Sequence, residues 1–258
     1  MPVVNVRGLK VSYEEAGDGL PIVFVPGVAD TKEFFRRQIS GLSQKYRVIS
    51  YDLRASTKAS GLSMELLAGD LAALFRALKI PTAAVCGHSF GGMVAQEFAF
   101  RFPELTSALV LISSFPKLPA ASADKALSWV TPRNGSGAGS LGWLRRIFRK
   151  PEVEPDSYEW LSETTAALDH HVLEDRLQLA LAYDSTEKLP AIEVPTLVVV
   201  GSKDREMMLH ASQVLYESIP DVALEVIEGG DHFCAFLRHD LVNSAIDDFL
   251  ARRLASIS

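Results

Sequence analysis

The sequence predicts an α/β fold in which helices cover both faces of an eight-stranded, mostly parallel sheet that carries an inserted helical cap. Short apolar runs rich in Val and Ile alternate with amphipathic stretches along the 258 residues, as in parallel strands connected by helices. The alternation stops between about residues 115 and 189, where no strand-like run occurs. With 48 % apolar residues, a chain of this length is able to bury one large core.

Eight apolar runs have the length and composition of strands, at residues 3–6, 9–14, 22–25, 48–51, 83–86, 108–112, 196–200 and 224–227. The first two are separated by Arg-Gly and are predicted to form a hairpin. The others are short and mostly apolar, and are predicted to be buried parallel strands. Helical periodicity follows between the strands, at residues 31–45, 63–78, 90–102, 207–218 and 240–254.

Residues 116–188 form the predicted cap or lid, and residues 1–115 and 189–258 form the predicted core. From its sequence, the cap segment is predicted to contain several helical stretches and a loop rich in Gly and Ser. Its basic cluster, from Arg145 to Lys150, is interpreted as a solvated face rather than a site for a membrane or an anionic substrate. Nearby acidic residues favour that interpretation, namely Glu152, Glu154 and Asp156.

The net charge and the cysteines argue against several classes of partner and site. A net charge of −6 argues against a nucleic-acid partner. The two cysteines lie far apart without CxxC spacing, which argues against a disulfide framework or a cysteine-based zinc site. No secretory leader or membrane-length apolar run is seen. We therefore expect a cytoplasmic protein without stable membrane association, and the oligomeric state stays open.

The stretch Gly87-His88-Ser89-Phe90-Gly91 has the pattern G-x-S-x-G between a predicted strand and a predicted helix. In this context a serine can occupy a strained strand-to-helix turn that exposes its hydroxyl group. Small residues two positions away on either side leave room for the turn. Ser89 is therefore the candidate nucleophile, and His88 is expected to point back into the fold in a structural role.

A serine nucleophile needs a base, and the base needs a group that orients it. His232 follows the last strand in a Gly-Gly loop, at the sheet edge where α/β proteins place their ligands. Asp204 follows the preceding strand and is the preferred acid. Asp231 and Asp124 are weaker alternatives, and Asp52 is expected to hold local loops with the help of Arg54.

Two backbone amides are candidates for an oxyanion hole. Phe90 begins the helix after the nucleophile, where amides lack helical acceptors. Val28 follows Pro26-Gly27 at the end of the third strand, where Gly27 allows close approach of the backbone. The alternative interpretation of Pro26-Gly27 is a simple strand-ending turn.

Five motifs in order resemble those of the α/β-hydrolase superfamily: "FVPGVAD", "YDLRAS", "GHSFGGMVAQEFAFRFPE", "PTLVVVGSKD" and "GGDHF". The finer similarity is to small bacterial esterases and 3-oxoadipate enol-lactonases. The resemblance implies the α/β-hydrolase fold and the chain order nucleophile, acid, histidine. Two departures affect the pocket rim: Pro26 stands where such proteins usually have His, and "ASTKAS" replaces the usual Gly-His-Gly type of turn.

The expected reaction is hydrolysis of a small ester or lactone through an acyl-enzyme, with no metal or organic cofactor. The substrate is expected to have an apolar portion that binds between the core and the cap. Six aromatic residues are candidates to line that pocket: Phe115, Trp129, Trp143, Phe148, Trp160 and Phe233. The alternatives are hydrolysis of carbon–carbon bonds in ring-cleavage products, or a ligand receptor with little turnover.

Overall fold

The computed structural model describes residues 2–55, 61–118, 160, 163 and 168–254. Within these ranges the chain forms one sheet of eight strands. Their bounds are β1 Val3–Val6, β2 Leu9–Ala16, β3 Leu20–Val25, β4 Tyr46–Tyr51, β5 Ala83–His88, β6 Thr106–Ile112, β7 Thr196–Gly201 and β8 Val222–Ile227. All eight predicted strands are present, and most extend by one or two residues beyond their apolar cores.

The order of strands in the sheet is β1-β2-β4-β3-β5-β6-β7-β8. The strands β1 and β2 form the predicted antiparallel hairpin, and β2 also pairs antiparallel with β4. Every pairing from β4 to β8 is parallel. The carboxyl ends of β3, β5, β6, β7 and β8 therefore meet at one edge of the sheet.

Side chains of the buried strands alternate between two apolar layers. In β3, Val23 and Val25 join the layer that contains α2 and α3, whereas Ile22 and Phe24 join the opposite layer. These four side chains have no exposed surface. A strand buried on both faces needs apolar residues at every position, which explains the continuous Val- and Ile-rich runs in the sequence.

Seven α-helices lie wholly within the described residues. Their bounds are α1 Arg36–Leu42, α2 Met64–Ala77, α3 Phe90–Arg101, α4 His170–Ala182, α5 Glu206–Ser218, α6 Cys234–Leu237 and α7 His239–Leu254. Ser63 caps α2 by accepting a hydrogen bond from the Leu66 amide. The single helix predicted at 31–45 is wrong: a 3₁₀ turn at Lys32–Phe35 precedes α1, and α1 ends at Leu42.

The inserted segment leaves and rejoins the core at adjacent points. Lys117 and Asp184 form an isolated antiparallel bridge, and the Ser185 amide donates to the carbonyl group of Pro116. The helix α4 lies in this segment, while residues 119–159 are outside the described ranges. The boundaries of a separate cap unit, 116–188, remain a prediction. Among the described helices, none is both long and apolar enough to cross a membrane.

Candidate active site

Ser89 occupies the turn between β5 and α3. Its backbone adopts φ 52° and ψ −118°, a conformation that costs a residue with a side chain about 1–3 kcal/mol. Backbone hydrogen bonds hold it there: the Ser89 amide donates to the Ile112 carbonyl group, and the Gly92 amide donates to the Ser89 carbonyl group. The neighbouring strand and the first turn of the helix thus maintain the strained conformation.

Three glycines around Ser89 allow this turn to pack closely. A side chain at Gly87 would meet the backbone of Gly91 and Gly92. One at Gly91 would meet the carbonyl oxygens of Val25 and Pro26, and one at Gly92 would meet Ser114. The helix α3 therefore lies directly against the end of β3, with no room for a methyl group between them.

The structure brings Ser89, His232 and Asp204 together, although up to 143 residues separate them along the chain. The Oγ of Ser89 lies 3.2 Å from Nε2 of His232, and Nδ1 of His232 lies 3.4 Å from Oδ2 of Asp204. A carboxylate only accepts hydrogen bonds, so the ring proton lies on Nδ1. The lone pair of Nε2 then faces the serine hydroxyl group, which is the arrangement that proton removal from Ser89 requires.

Asp204 is held in its charged form. Burial by itself raises the pKa of this carboxyl group, but the net direction is downward. The positive charge that His232 carries when protonated lowers the pKa, and so do the hydrogen bonds from His232, from the Arg205 amide at 2.8 Å and from the Ser113 hydroxyl group. Asp204 is therefore a carboxylate with a fixed orientation at neutral pH.

The other acidic candidates have different contacts. Asp231 accepts a hydrogen bond from the Phe233 amide at 3.0 Å and so stabilises the turn that carries His232. Asp52 accepts from the Lys32 amide at 2.9 Å and lies 3.3 Å from the Lys32 ammonium group. Asp124 lies outside the described residues.

Arg54 does not pair with Asp52, contrary to the expectation from the sequence. It forms a bidentate pair with Asp70 of α2, at 2.6 and 2.9 Å. The carboxylate of Asp70 is largely buried, and the planar guanidinium group satisfies both of its oxygens.

The loop after β3, residues Pro26 to Asp30, carries the second candidate amide at Val28. Asp30 is buried and accepts a hydrogen bond from the Gly27 amide at 3.1 Å. The contact of Gly91 with the Val25 and Pro26 carbonyl groups places this loop against the start of α3. The candidate amides of Val28 and Phe90 therefore belong to two backbone segments that pack against each other.

Arg176 of α4 is a residue that sequence reasoning missed. It is only 3 % exposed, and its guanidinium group donates to the carbonyl groups of Val28 and Leu53 at 3.2 and 3.0 Å. Burial lowers the pKa of Arg176 to about 10, against the opposing effects of Asp30, Asp52 and Tyr51. An arginine on an amphipathic cap helix gives no signal in the sequence that it will be buried.

The three described aromatic candidates for the substrate pocket lie in different parts of the structure. The ring of Phe233 lies 5.3 Å from that of His232, edge to face. Phe115 is buried in the apolar layer with α3. Trp160 stacks on Phe236 with ring centroids 4.9 Å apart, and the Arg36 guanidinium group lies 4.0 Å from the Trp160 ring centroid. The remaining three, Trp129, Trp143 and Phe148, lie outside the described residues.

The comparisons with known proteins agree with the fold described above. Residues 22–245 match the model of a family described as the alpha/beta hydrolase family. This match runs from β3 into α7, so it includes Ser89, Asp204 and His232.

Individual relatives are distant but cover nearly the whole chain. A RutD protein from Azorhizobium caulinodans, whose name proposes carbamate hydrolysis, is 28 % identical over 96 % of this chain and 98 % of its own. A protein named 3-oxoadipate enol-lactonase 2, from Acinetobacter baylyi, is 27 % identical over 96 % of each chain. The solved structure of a thermophilic esterase from Thermogutta terrifontis superposes with a TM-score of 0.85, at 25 % identity and 98 % coverage of both chains.

Proposed function

Because this chain belongs to the alpha/beta hydrolase family, we propose that it hydrolyses a small carboxylic ester or lactone through Ser89, His232 and Asp204. The observation that carries the proposal is the 3.2 Å contact between the Ser89 hydroxyl group and Nε2 of His232. It occurs at a strained turn at the start of a helix, where a serine hydroxyl group is presented to substrate. The names of an enol-lactonase and an esterase among the similar proteins agree with this substrate class.

The first half of the reaction forms an acyl-enzyme. His232 takes the hydroxyl proton of Ser89 while the Oγ forms a bond to the substrate carbonyl carbon. The negative charge that develops on the carbonyl oxygen is stabilised by hydrogen bonds that the amides of Val28 and Phe90 donate to it. The attack forms a tetrahedral intermediate. When this intermediate collapses, the bond between the carbonyl carbon and the leaving oxygen breaks, and His232 transfers to that oxygen the proton that it took from Ser89.

The second half returns the enzyme to its starting state. His232 removes a proton from water, and the resulting hydroxide attacks the acyl carbon. The bond to Ser89 breaks, Oγ recovers the proton and the carboxylic acid leaves. In both halves Asp204 keeps the ring in the required tautomer and offsets the positive charge that His232 acquires.

The surroundings of His232 support a substrate with an apolar portion. Phe233 packs edge to face on the His232 ring, and its side chain is 8 % exposed. An apolar acyl or alkyl portion would gain free energy from contact with such a surface, whereas a charged group would lose hydration there. A small ester or lactone with an apolar portion therefore fits this site better than a highly charged substrate.

The proposal is tested by hydrolysis of a substrate panel: p-nitrophenyl acetate, butyrate and octanoate, a γ-lactone, a p-nitrophenyl carbamate and a vinylogous 1,5-diketone. Wild type is compared with Ser89→Ala and with Ser185→Ala, a buried serine outside the site, as the matched control. We expect ester or lactone turnover that Ser89→Ala abolishes and Ser185→Ala retains. Preference for the diketone would indicate carbon–carbon bond hydrolysis instead. Binding without turnover on the whole panel would indicate a receptor.

A further inference from the structure

His88, the residue before the nucleophile, points away from it and is 1 % exposed. Its ring stacks on Phe34, with centroids 4.5 Å apart. Both ring nitrogens have polar partners that belong to other loops. Nδ1 lies 2.8 Å from Oδ2 of Asp30, and Nε2 lies 2.9 Å from the backbone carbonyl oxygen of His232.

The chemistry of these two contacts fixes the protons. A carbonyl oxygen only accepts, so Nε2 carries a hydrogen and donates it to His232. The contact between Nδ1 and Oδ2 then needs one further proton, whichever of the two atoms carries it. The His88–Asp30 pair is consequently neutral as a whole, and its burial avoids the large cost of an isolated charge.

Asp30 extends the connection to the loop of the candidate oxyanion amide. The same Oδ2 atom that contacts His88 also accepts a hydrogen bond from the Gly27 amide at 3.1 Å. A side chain at Gly27 would meet Oδ2 of Asp30 and would lie 3.1 Å from Nδ1 of His88. The backbone of this loop thus lies directly on the pair, immediately before Val28.

We propose that His88 and Asp30 form a positioning pair that holds the loop of His232 and the loop of Val28 at a fixed separation around Ser89. The inference rests on the hydrolytic function proposed above. A buried histidine that only filled the core would satisfy its nitrogens with any nearby groups. This one contacts the backbone of the base residue itself and, through Asp30, the amide next to the candidate oxyanion donor.

Loss of the pair lowers stability, because a buried carboxyl group loses its partner, and it also has a kinetic consequence that tests the positioning role. Loss of the pair frees two loops whose relative position decides both proton transfer from Ser89 and stabilisation of the oxyanion. A displacement of about 1 Å in such geometry costs up to about 10²-fold in rate. Substrate binding depends less on these atoms, so kcat is expected to fall while KM changes little.

The test compares His88→Phe and Asp30→Asn with wild type and with Ser185→Ala. Phenylalanine retains the stack on Phe34 but loses both hydrogen bonds. Ser185 donates a buried hydrogen bond to Gln96 at 2.7 Å, so its alanine variant controls for the general loss of a buried polar contact. Steady-state kinetics on the best ester of the panel and hydrogen exchange of peptides over 26–30 and 228–234 are measured.

We expect kcat to fall about 10- to 100-fold in His88→Phe with KM within about threefold, and both peptides to exchange faster together. Ser185→Ala should change neither readout. Unchanged kcat, or faster exchange in only one loop, would overturn the positioning role. If His88→Phe does not fold, the same measurements on Asp30→Asn test the proposal, with the same expected and contradicting results.

The exchange measurement needs no turnover and therefore separates the two proposals. A wild type that hydrolyses no ester or lactone contradicts the proposed function. Even then, faster hydrogen exchange of both peptides in His88→Phe than in wild type would support the link between the two loops. Faster exchange of only one peptide would overturn it.

Discussion

Ser114 donates a hydrogen bond from its hydroxyl group to the carbonyl oxygen of Ser89, with the two oxygens 2.9 Å apart. Ser114 follows β6 with only Ser113 between them, is fully buried and lies 25 residues further along the chain than Ser89. The residue after the neighbouring strand thus helps to hold the backbone of Ser89 at its φ of 52°. The strain of the nucleophile turn is balanced partly by a residue that takes no part in the chemistry.

Ser114→Ala removes this hydrogen bond and leaves the Ser89 carbonyl group with the Gly92 amide as its donor. The free energy of unfolding is expected to fall by about 1–2 kcal/mol, the usual effect of losing a buried hydrogen bond. A looser turn should also lower kcat severalfold. Urea denaturation and steady-state kinetics measure the two effects, and an unchanged kcat would mean that the turn is rigid without Ser114.

The three residues Ser89, His232 and Asp204 are expected to act as one unit. Ser89→Ala, His232→Ala and Asp204→Asn should each lower kcat by about 10⁴-fold or more, and combining them should add little. Kinetics of the single, double and triple variants test this. Independent, multiplicative losses would contradict the triad, and an active Asp204→Asn would move the acid to Asp231 or Asp124.

The lowered pKa of Asp204 predicts how stability depends on pH. A carboxyl group whose pKa is lower in the folded state stabilises the fold above its ordinary pKa of 3.8. That contribution is lost as pH falls through the folded-state value. The stability difference between wild type and Asp204→Asn should therefore be constant near neutral pH and shrink below about pH 4.

Thermal unfolding of both proteins between pH 3 and 7 measures this difference, with the exposed Asp18→Asn as control. A difference that grows as pH falls would contradict the direction of the pKa shift.

Arg176 is expected to connect the cap helix α4 to the Val28 loop. Arg176→Met removes a buried charge and the hydrogen bonds to the carbonyl groups of Val28 and Leu53, so the two effects on stability oppose each other. We expect only a small change in melting temperature but a fall in kcat of about tenfold, because the Val28 loop is less well fixed. Kinetics and calorimetry separate these effects, and a large loss of stability with normal kcat would assign Arg176 a purely structural role.

Local patterns in the sequence were sufficient for most of the fold. Burial on both faces of the sheet requires apolar runs in the central strands, so these strands were visible without long-range information, whereas the edge strands β1 and β8 are partly exposed. The exception was residues 31–45, where helical periodicity extended across a 3₁₀ turn at one end and across the turn that follows α1 at the other. There the aromatic residues Phe34 and Phe35 pack beneath the site, and tertiary packing decided the local structure.

The candidate reacting residues were accessible to sequence reasoning because each follows a strand at the same sheet edge. Their supporting residues were not. Asp30 contacts His88 across 58 positions of the chain, Arg176 contacts Val28 across 148, and Arg54 pairs with Asp70 instead of Asp52, which is only two positions away. Such contacts depend on loop and helix placement in three dimensions, which no periodicity or motif encodes.

The most direct test of whether Ser89 is activated is to treat the protein with a fluorophosphonate probe and to measure its intact mass. The measurement compares wild type with Ser89→Ala and His232→Ala. Reaction requires a serine whose proton is removed by a neighbouring base. We predict a single adduct on wild type and none on either variant. A folded wild type without an adduct, or an adduct that persists in Ser89→Ala, would contradict the assignment of Ser89 as the nucleophile.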